Sequence, residues 1–279
     1  MQDNSALPFQ VSEALAILDE ATALALEMHG NVRAVLKADQ TLVTEADQRV
    51  EQFLRDRLGA LAPTFCYLGE EGGLTGDLTA PCWVIDPIDG TTNFANDIPV
   101  WCISVGLCHE GRAIFGMIAV PQFGEVFWAA EGAGAWRLYR GSTRRLHIAD
   151  RLPLMQEDLL ATNTTMERVL DFSEVPCRLR NFGSLTYHLA ALAKGSLVGA
   201  LAHYHKLYDV AAGMCICHEA GCVSAYLDGT PWTAEVTAAT EKRPLLVAGP
   251  ETLRDLEAKL RPQLGNQCAD PASEIRGSY

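Results

Sequence analysis

The stretch Trp83 to Phe94, WVIDPIDGTTNF, decides how this chain is read. The apolar run Trp83-Val84-Ile85 is closed by a carboxylate at Asp86, and a second follows at Asp89. Pro87 fixes φ between them, so the two acids sit on a stiffened turn where a buried strand ends. Two anions held a few ångströms apart repel, and they tolerate joint ionisation if a divalent cation lies between them. Gly90, Thr91 and Thr92 then offer backbone N–H groups at an expected helix start, which suits a phosphate oxygen. Taken alone, the pair reads as an Asx-capped turn.

The pair is not alone. Glu70 and Glu71 stand in YLGEEGG, a glycine-rich turn at the end of another strand-like run. Asp209 opens the helical segment YDVAAG, and Asp47 lies three residues after Thr44. Singly, these acids read as an exposed turn, an N-cap and a solvated helix end. Four acidic clusters, each at an element terminus beside apolar sequence, point to hard oxygen ligands. With no histidine–cysteine set, that chemistry suits magnesium rather than zinc.

Composition narrows the partners. The 279 residues are 48% hydrophobic, which fits a globular chain with a sizeable core. A formal net charge of −13 repels nucleic-acid phosphate and anionic lipid surfaces, so neither is a partner through bulk charge. The nine cysteines fall mostly in apolar contexts without a C-x-x-C pair, and they read as reduced core thiols of a cytoplasmic protein. The N-terminus is not a signal peptide, and no apolar run approaches a membrane span.

The spacing of apolar residues predicts a helix over 11–29, with Ser12 as its N-cap and Gly30 as its stop. TEADQRVEQFLRDRLGAL repeats the pattern, with Thr44 and Asp47 as a capping box and Val50, Phe53, Leu54 and Leu58 as the buried stripe. From Phe65 short β-like runs follow, joined by turns such as HEGR and PQFGE that read as antiparallel hairpins. Beyond about 150 strands and helices alternate, as in a layered α/β subdomain. The division is therefore 1–145, helices plus a mainly antiparallel sheet carrying most of the acids, and 146–279, carrying Asp209. The tail from Gly265 is polar and reads as mobile. Arg144-Arg145 reads as a solvated turn or part of a dimer rim.

GEE at 69–71, WVIDPIDGTTNF at 83–94 and YDVAAG at 208–213, in this order and spacing, resemble the inositol monophosphatase family of magnesium-dependent, lithium-sensitive phosphatases. KADQTLVTEAD, Lys37 to Asp47, is similar to that family's N-terminal segment. The resemblance spans about 11–260. It implies an α/β fold of α+β type, a layered αβαβα sandwich like that of the inositol monophosphatases and fructose-1,6-bisphosphatases, usually as a homodimer. It implies that Glu70, Asp86 and the Ile88 carbonyl hold a first magnesium, that Asp86, Asp89 and Asp209 hold a second, and that Glu71 assists a third, weaker site. Thr91 and Asp47 would orient and activate the attacking water. The amides of Gly90 and Thr91, with Thr92 beside them, would hold the phosphate, and Ser184 resembles a substrate-side loop of the family while also suiting a helix N-cap. Lys37, beside the N-terminal loop, reads by itself as an exposed lysine or as a cation near the phosphate.

The implied reaction is hydrolysis of inositol monophosphate or a similar small sugar or polyol phosphate by two-metal activation of water. A phosphate dianion resists hydroxide, and two cations neutralise it and lower the pKa of a water. A phospho-aspartyl route through Asp86 or Asp89 is the covalent alternative, but an acid engaged with magnesium is a poorer nucleophile. Histidinol-phosphate, 3'-phosphoadenosine 5'-phosphate and fructose 1,6-bisphosphate are the rival substrates. A different class is a non-catalytic regulatory protein on the same fold, which should have lost some of these acids.

One departure bears on the substrate. The family typically carries an inositol-binding glutamate seven residues before the motif aspartate, and here that position is Ala202. Nearby stand His203 and His205, which strand alternation would put on one face. Such a pair could bind a metal, but no third ligand with metal spacing adjoins them, so they read as structural or substrate-pocket groups that would favour an anionic or imidazole end if one faces the pocket.

Overall fold

The computed structural model describes residues 7–30, 34–36 and 42–260. Lys37 and the tail from Gly265 lie outside them. Helix α1 (Val11–Met28) is followed by a hairpin of β1 (Ala34–Leu36) and β2 (Leu42–Thr44), then α2 (Glu45–Leu61). Next come β3 (Cys66–Gly69), β4 (Gly73–Thr75), β5 (Cys82–Asp89), the short α3 (Thr91–Ala95), β6 (Cys102–His109), β7 (Arg112–Val120), β8 (Glu125–Ala130), β9 (Gly134–Tyr139) and β10 (Ser142–Leu146). The second half contains β11 (Leu159–Ala161), α4 (Thr164–Val169), β12 (Arg178–Arg180), α5 (Leu185–Ala193), β13 (Gly199–Ala202), α6 (Leu207–Glu219), β14 (Val223–Tyr226), β15 (Leu245–Ala248) and α7 (Pro250–Leu260).

Two sheets result. The first has eight strands in the order β10-β9-β8-β7-β6-β5-β3-β4, and the second has five in the order β12-β11-β13-β15-β14. HEGR and PQFG form the expected hairpin turns between β6, β7 and β8. The β3–β5 pair departs from that pattern and is parallel.

Strand alternation sorts the side chains into layers. Trp83, Ile85, Ile103, Val105 and Leu107 point to one face, where α1 and α2 bury Leu18, Ala21, Val50, Leu54 and Leu58 against them. The opposite face, through Cys102, Ile118, Val120, Phe127 and Ala129, packs on α5 and α6. Those two helices also cover Ala161, Ala200, Leu245 and Val247 of the second sheet. The far side of that sheet, at Leu160, Leu201 and Leu246, is closed by α4 and α7 through Met166, Leu253 and Leu256. The layers therefore run α-β-α-β-α.

Helix α6 sits unusually close to the first sheet, and two glycines permit it. A Cβ at Gly106 would stand 2.9 Å from the Ala211 Cβ, and one at Gly116 only 2.4 Å from the Ala212 carbonyl oxygen. Both strands thus lack side chains where the helix crosses them.

Several local expectations change. The N-cap of α1 is Gln10, one turn residue before Val11, not Ser12. Gln10 and Glu13 close a reciprocal capping box there, which outcompetes a serine already inside the helix. Phe53 is only half-buried, whereas Val50, Leu54 and Leu58 are fully enclosed. Arg144 and Arg145 belong to the exposed edge strand β10 rather than to a turn. Cysteines 66 and 82 are not both reduced core thiols: they form a disulfide. The parallel register sets them directly opposite each other, with Cα atoms 4.3 Å apart. The six other described cysteines are free and buried.

Candidate active site

The three-residue spacing of Asp86 and Asp89 has a geometric cause. An odd spacing on a regular strand puts two side chains on opposite faces. Here Asp86 pairs with Ser104 and Asp89 pairs with Cys102, so three steps on β5 oppose two on β6. The extra residue is a β-bulge around Pro87, whose missing N–H suits an interrupted ladder. The bulge returns Asp89 to the face of Asp86, the face covered by α5 and α6.

The other acids converge from element ends. Glu70 follows the last residue of β3, and its backbone N–H donates to the Ile85 carbonyl at 3.2 Å, which fixes the turn against β5. Asp209 occupies the first turn of α6 and accepts from the Lys206 backbone N–H at 2.6 Å. Asp47 holds the matching place in α2, where Thr44 donates to its Oδ2 from both backbone (2.7 Å) and hydroxyl (2.5 Å). Its other oxygen, Oδ1, lies 3.1 Å from the Thr91 hydroxyl. That hydroxyl also stands 3.0 Å from the Ile88 carbonyl, and its single proton can serve only one of the two at a time.

Electrostatics make the cluster costly as it stands. Burial raises the Asp86 pKa well above the ordinary value, and the charges of Glu70, Asp89, Asp209 and Asp47 raise it further. Burial pushes Asp89 up to about 6, against hydrogen bonds from Ser184 and Thr186 that lower it. Asp209 is raised by burial and then by Asp89, and Asp47 by burial against its Thr44 contacts.

The donor set fits a divalent cation. Asp86 spends Oδ1 on the Ile88 N–H at 3.0 Å, and Asp209 spends Oδ2 on Lys206. Asp86 Oδ2 and Asp209 Oδ1 take no hydrogen bond among the described residues, so each offers an oxygen. The mutual repulsion is what a hard cation would relieve. Among the described residues, no three such groups are already closed into a ligand cage.

The remaining predicted residues fall as follows. Gly90 is the left-handed N-cap of α3 (φ 95°), and a Cβ there would press on the Val100 and Gly183 carbonyls and on Ser184. Thr92 is exposed. Glu71 follows Glu70 and is half-buried. Ser184 caps α5 by accepting from the Tyr187 N–H at 3.1 Å, while its own hydroxyl donates to Asp89 at 2.7 Å. Ala202 is buried in β13 opposite Leu245. His203 and His205 do not share a strand face. The strand ends at Ala202, and Tyr204 between them takes a left-handed backbone (φ 57°) that turns the chain. His203 lines a cleft with Ser184, while His205 lines a separate cavity of about 90 Å3 with Tyr226, Trp232 and Arg243. Burial lowers the pKa of both histidines, to about 4 for His205, so neither favours an anion by charge.

Sequence reasoning passed over Glu51. This buried carboxylate of α2 accepts the backbone N–H groups of Glu71 (2.8 Å) and Gly72 (2.5 Å) and so shapes the turn that carries Glu70. A Cβ on Gly69 would lie 2.5 Å from it, which explains the glycine there. The available signal was a glutamate adjoining the buried stripe Val50, Leu54 and Leu58.

Comparison with known proteins agrees with this geometry. The profile of the Inositol monophosphatase family matches residues 8–263. The chain is 33% identical over 227 residues to a histidinol-phosphatase of Mycobacterium tuberculosis, covering 77% of this chain and 86% of that one. It is 32% identical over 211 residues to an inositol-1-monophosphatase of Rhizobium meliloti, covering 71% and 77%. In fold it is similar to the Thermotoga maritima IMPase, with a TM-score of 0.77 at 23% identity over 91% of this chain and 97% of that chain. Such enzymes are generally metal-dependent and act on small phosphate monoesters. The chain belongs to the inositol monophosphatase family and is a phosphoric monoester hydrolase.

Proposed function

We propose that the protein is a magnesium-dependent phosphomonoesterase that hydrolyses inositol monophosphate or a similar small sugar or polyol phosphate. The observation that carries this reading is the bulge in β5, which gathers Asp86 and Asp89 on one face beside Asp209 and Glu70.

In this reading Glu70, Asp86 and the Ile88 carbonyl would hold one magnesium, Asp86, Asp89 and Asp209 a second, and Glu71 would assist a third. Bound there, magnesium would supply charge neutralisation for the phosphate dianion and a lowered pKa for the attacking water. Thr91 orients that water, and Asp47 Oδ1 takes its proton. A carboxylate whose pKa is raised by burial is the better base. The backbone amides of Gly90 and Thr91, with Thr92 beside them, hold phosphate oxygens, and Ser184 steadies Asp89 from the substrate side. Lys37, outside the described residues, is assigned as a cation near the phosphate from its place in the sequence alone. Lithium sensitivity, a cytoplasmic setting and a homodimer belong to the same reading. No described helix is long and apolar enough to cross a membrane.

Kinship leaves the alcohol open, since the identities to a histidinol-phosphatase and to an inositol-1-monophosphatase are almost equal. Phosphate release from a panel of phosphomonoesters, with magnesium and with a chelator, tests the reading. Magnesium-dependent turnover is expected. No release from any substrate would leave a non-catalytic protein on this fold.

A further inference from the structure

Asp89 and Asp209, the two acids assigned to the second magnesium alone, come from elements far apart in the chain, the end of β5 and the first turn of α6. Their own interaction is repulsive, since the Asp89 charge raises the Asp209 pKa in a buried site. One residue touches both. The backbone N–H of Thr186, in the first turn of α5, donates to Asp89 Oδ2 at 2.5 Å, and its hydroxyl donates to the Asp209 backbone carbonyl at 3.1 Å. Thr186 is wholly buried.

The two bonds make different demands. The N–H bond comes with the start of α5, where the Ser184 hydroxyl joins it on the same Asp89 oxygen at 2.7 Å. The tie to α6 needs a side-chain hydroxyl. That hydroxyl also lies near enough to Asp89 to favour its charge, but it has one proton, and the geometry directs it to the Asp209 carbonyl. About one turn further along both helices, packing repeats the tie. A Cβ on Gly213 would stand 2.5 Å from the Leu189 side chain, so α5 and α6 approach closely there. Glu70 is placed by a separate device: its N–H donates to the Ile85 carbonyl, and its turn is shaped by Glu51.

Hydrogen bonds from outside a metal site orient its ligands, and their loss weakens metal binding even though no ligand is removed. We propose that Thr186 is a positioning residue for the second cation site only, its hydroxyl fixing α6 and Asp209 against Asp89, while the first site depends on the turn held by Glu51. The inference rests on the two-magnesium reading above and deepens it. It separates two sites that share Asp86 by the contacts that place their other ligands.

Calorimetric titration of the chelator-stripped protein with magnesium tests it, beside thermal melts in the chelator. Wild type should show at least two classes of bound ion. Thr186→Val keeps the N–H and the volume but not the hydroxyl. It should raise the dissociation constant of one class by about threefold to tenfold, and leave the class that Glu51→Ala weakens within about twofold of wild type. Thr186→Ala removes the hydroxyl without placing a methyl beside Asp89, and it decides the matter if the valine variant does not fold. Thr186→Ser keeps the hydroxyl and drops a methyl, so it should retain both constants even as its Tm falls. A merely structural role predicts instead that magnesium binding follows Tm in every variant. Unchanged constants in the valine and alanine variants, equal weakening of both classes, a serine variant as weak as the valine one, or a single class of ion in wild type overturns the inference. The phosphatase reading survives each of these while wild type still releases phosphate with magnesium. No magnesium binding and no magnesium-dependent release by wild type removes that reading and the inference with it.

Discussion

Replacing Asp89 by asparagine should stabilise the metal-free protein while damaging its catalysis. The magnitude follows from the raised pKa. Asp89 titrates at about 6 in the folded chain, against 3.8 for an unperturbed aspartate. At 1.36 kcal/mol per unit, keeping it ionised costs the metal-free fold about 3 kcal/mol near pH 8. The sign runs opposite to that of a salt-bridged acid. The folded state holds its proton more tightly than the unfolded chain, so stability rises as pH falls through 6 and the gain is complete below about 3.8. In Asp89→Asn this contribution is absent at every pH, and the asparagine oxygen still accepts from Ser184 and the Thr186 N–H. Thermal melts in a chelator between pH 8 and pH 5 check it. Wild type should gain roughly 3 °C relative to the variant on acidification, because about half of the penalty is relieved by pH 5 and each kcal/mol is about 2 °C for a chain of this size. Magnesium should raise the wild-type Tm at pH 8, lose that effect toward pH 5, and do little for the variant. A wild-type and variant difference that does not change with pH would refute the reasoning, because burial would then not penalise the Asp89 charge.

Three further outcomes follow. Thr91→Ala and Asp47→Asn should each lower kcat by about a hundredfold or more, since the two share one hydrogen bond and one water, and the double variant should lose far less than the product; multiplicative losses in steady-state assays would separate them. Gly116→Ala forces a methyl onto the Ala212 carbonyl and should cost about 1–3 kcal/mol in urea unfolding, with a raised magnesium requirement as α6 shifts Asp209. Glu51→Ala removes the acceptor for the Glu71 and Gly72 N–H groups and should raise the magnesium concentration needed for half-maximal activity more than it lowers Tm.

The parts legible in the sequence were those with a local cause. The capping box of Thr44 and Asp47 and the hairpin turns around β7 are fixed by neighbours within a few residues, and they appear where expected. The layer order was carried by family resemblance rather than by spacing. Non-local causes were not readable. The parallel pairing of β3 with β5 decides that Cys66 meets Cys82, and no local pattern reports a register. The bulge at Pro87 turns an odd spacing into a shared face, although an unbroken strand would separate the two acids. Alternation failed for His203 and His205 because a left-handed residue between them ends the strand geometry it assumes. Glu51 was hidden because its partners are backbone N–H groups of a distant turn.

The most direct test of the central claim is magnesium-dependent phosphate release by Asp86→Asn beside wild type, across a magnesium titration and with a chelator. Asp86 stands at the centre of the cluster, its charge opposed by Glu70, Asp89, Asp209 and Asp47, and it is assigned to both principal ions. The account predicts turnover that rises with magnesium in wild type, vanishes in the chelator, and is lost in the folded variant at every magnesium concentration. Near-wild-type, magnesium-responsive turnover by Asp86→Asn, or wild-type release that the chelator leaves unchanged, would contradict it.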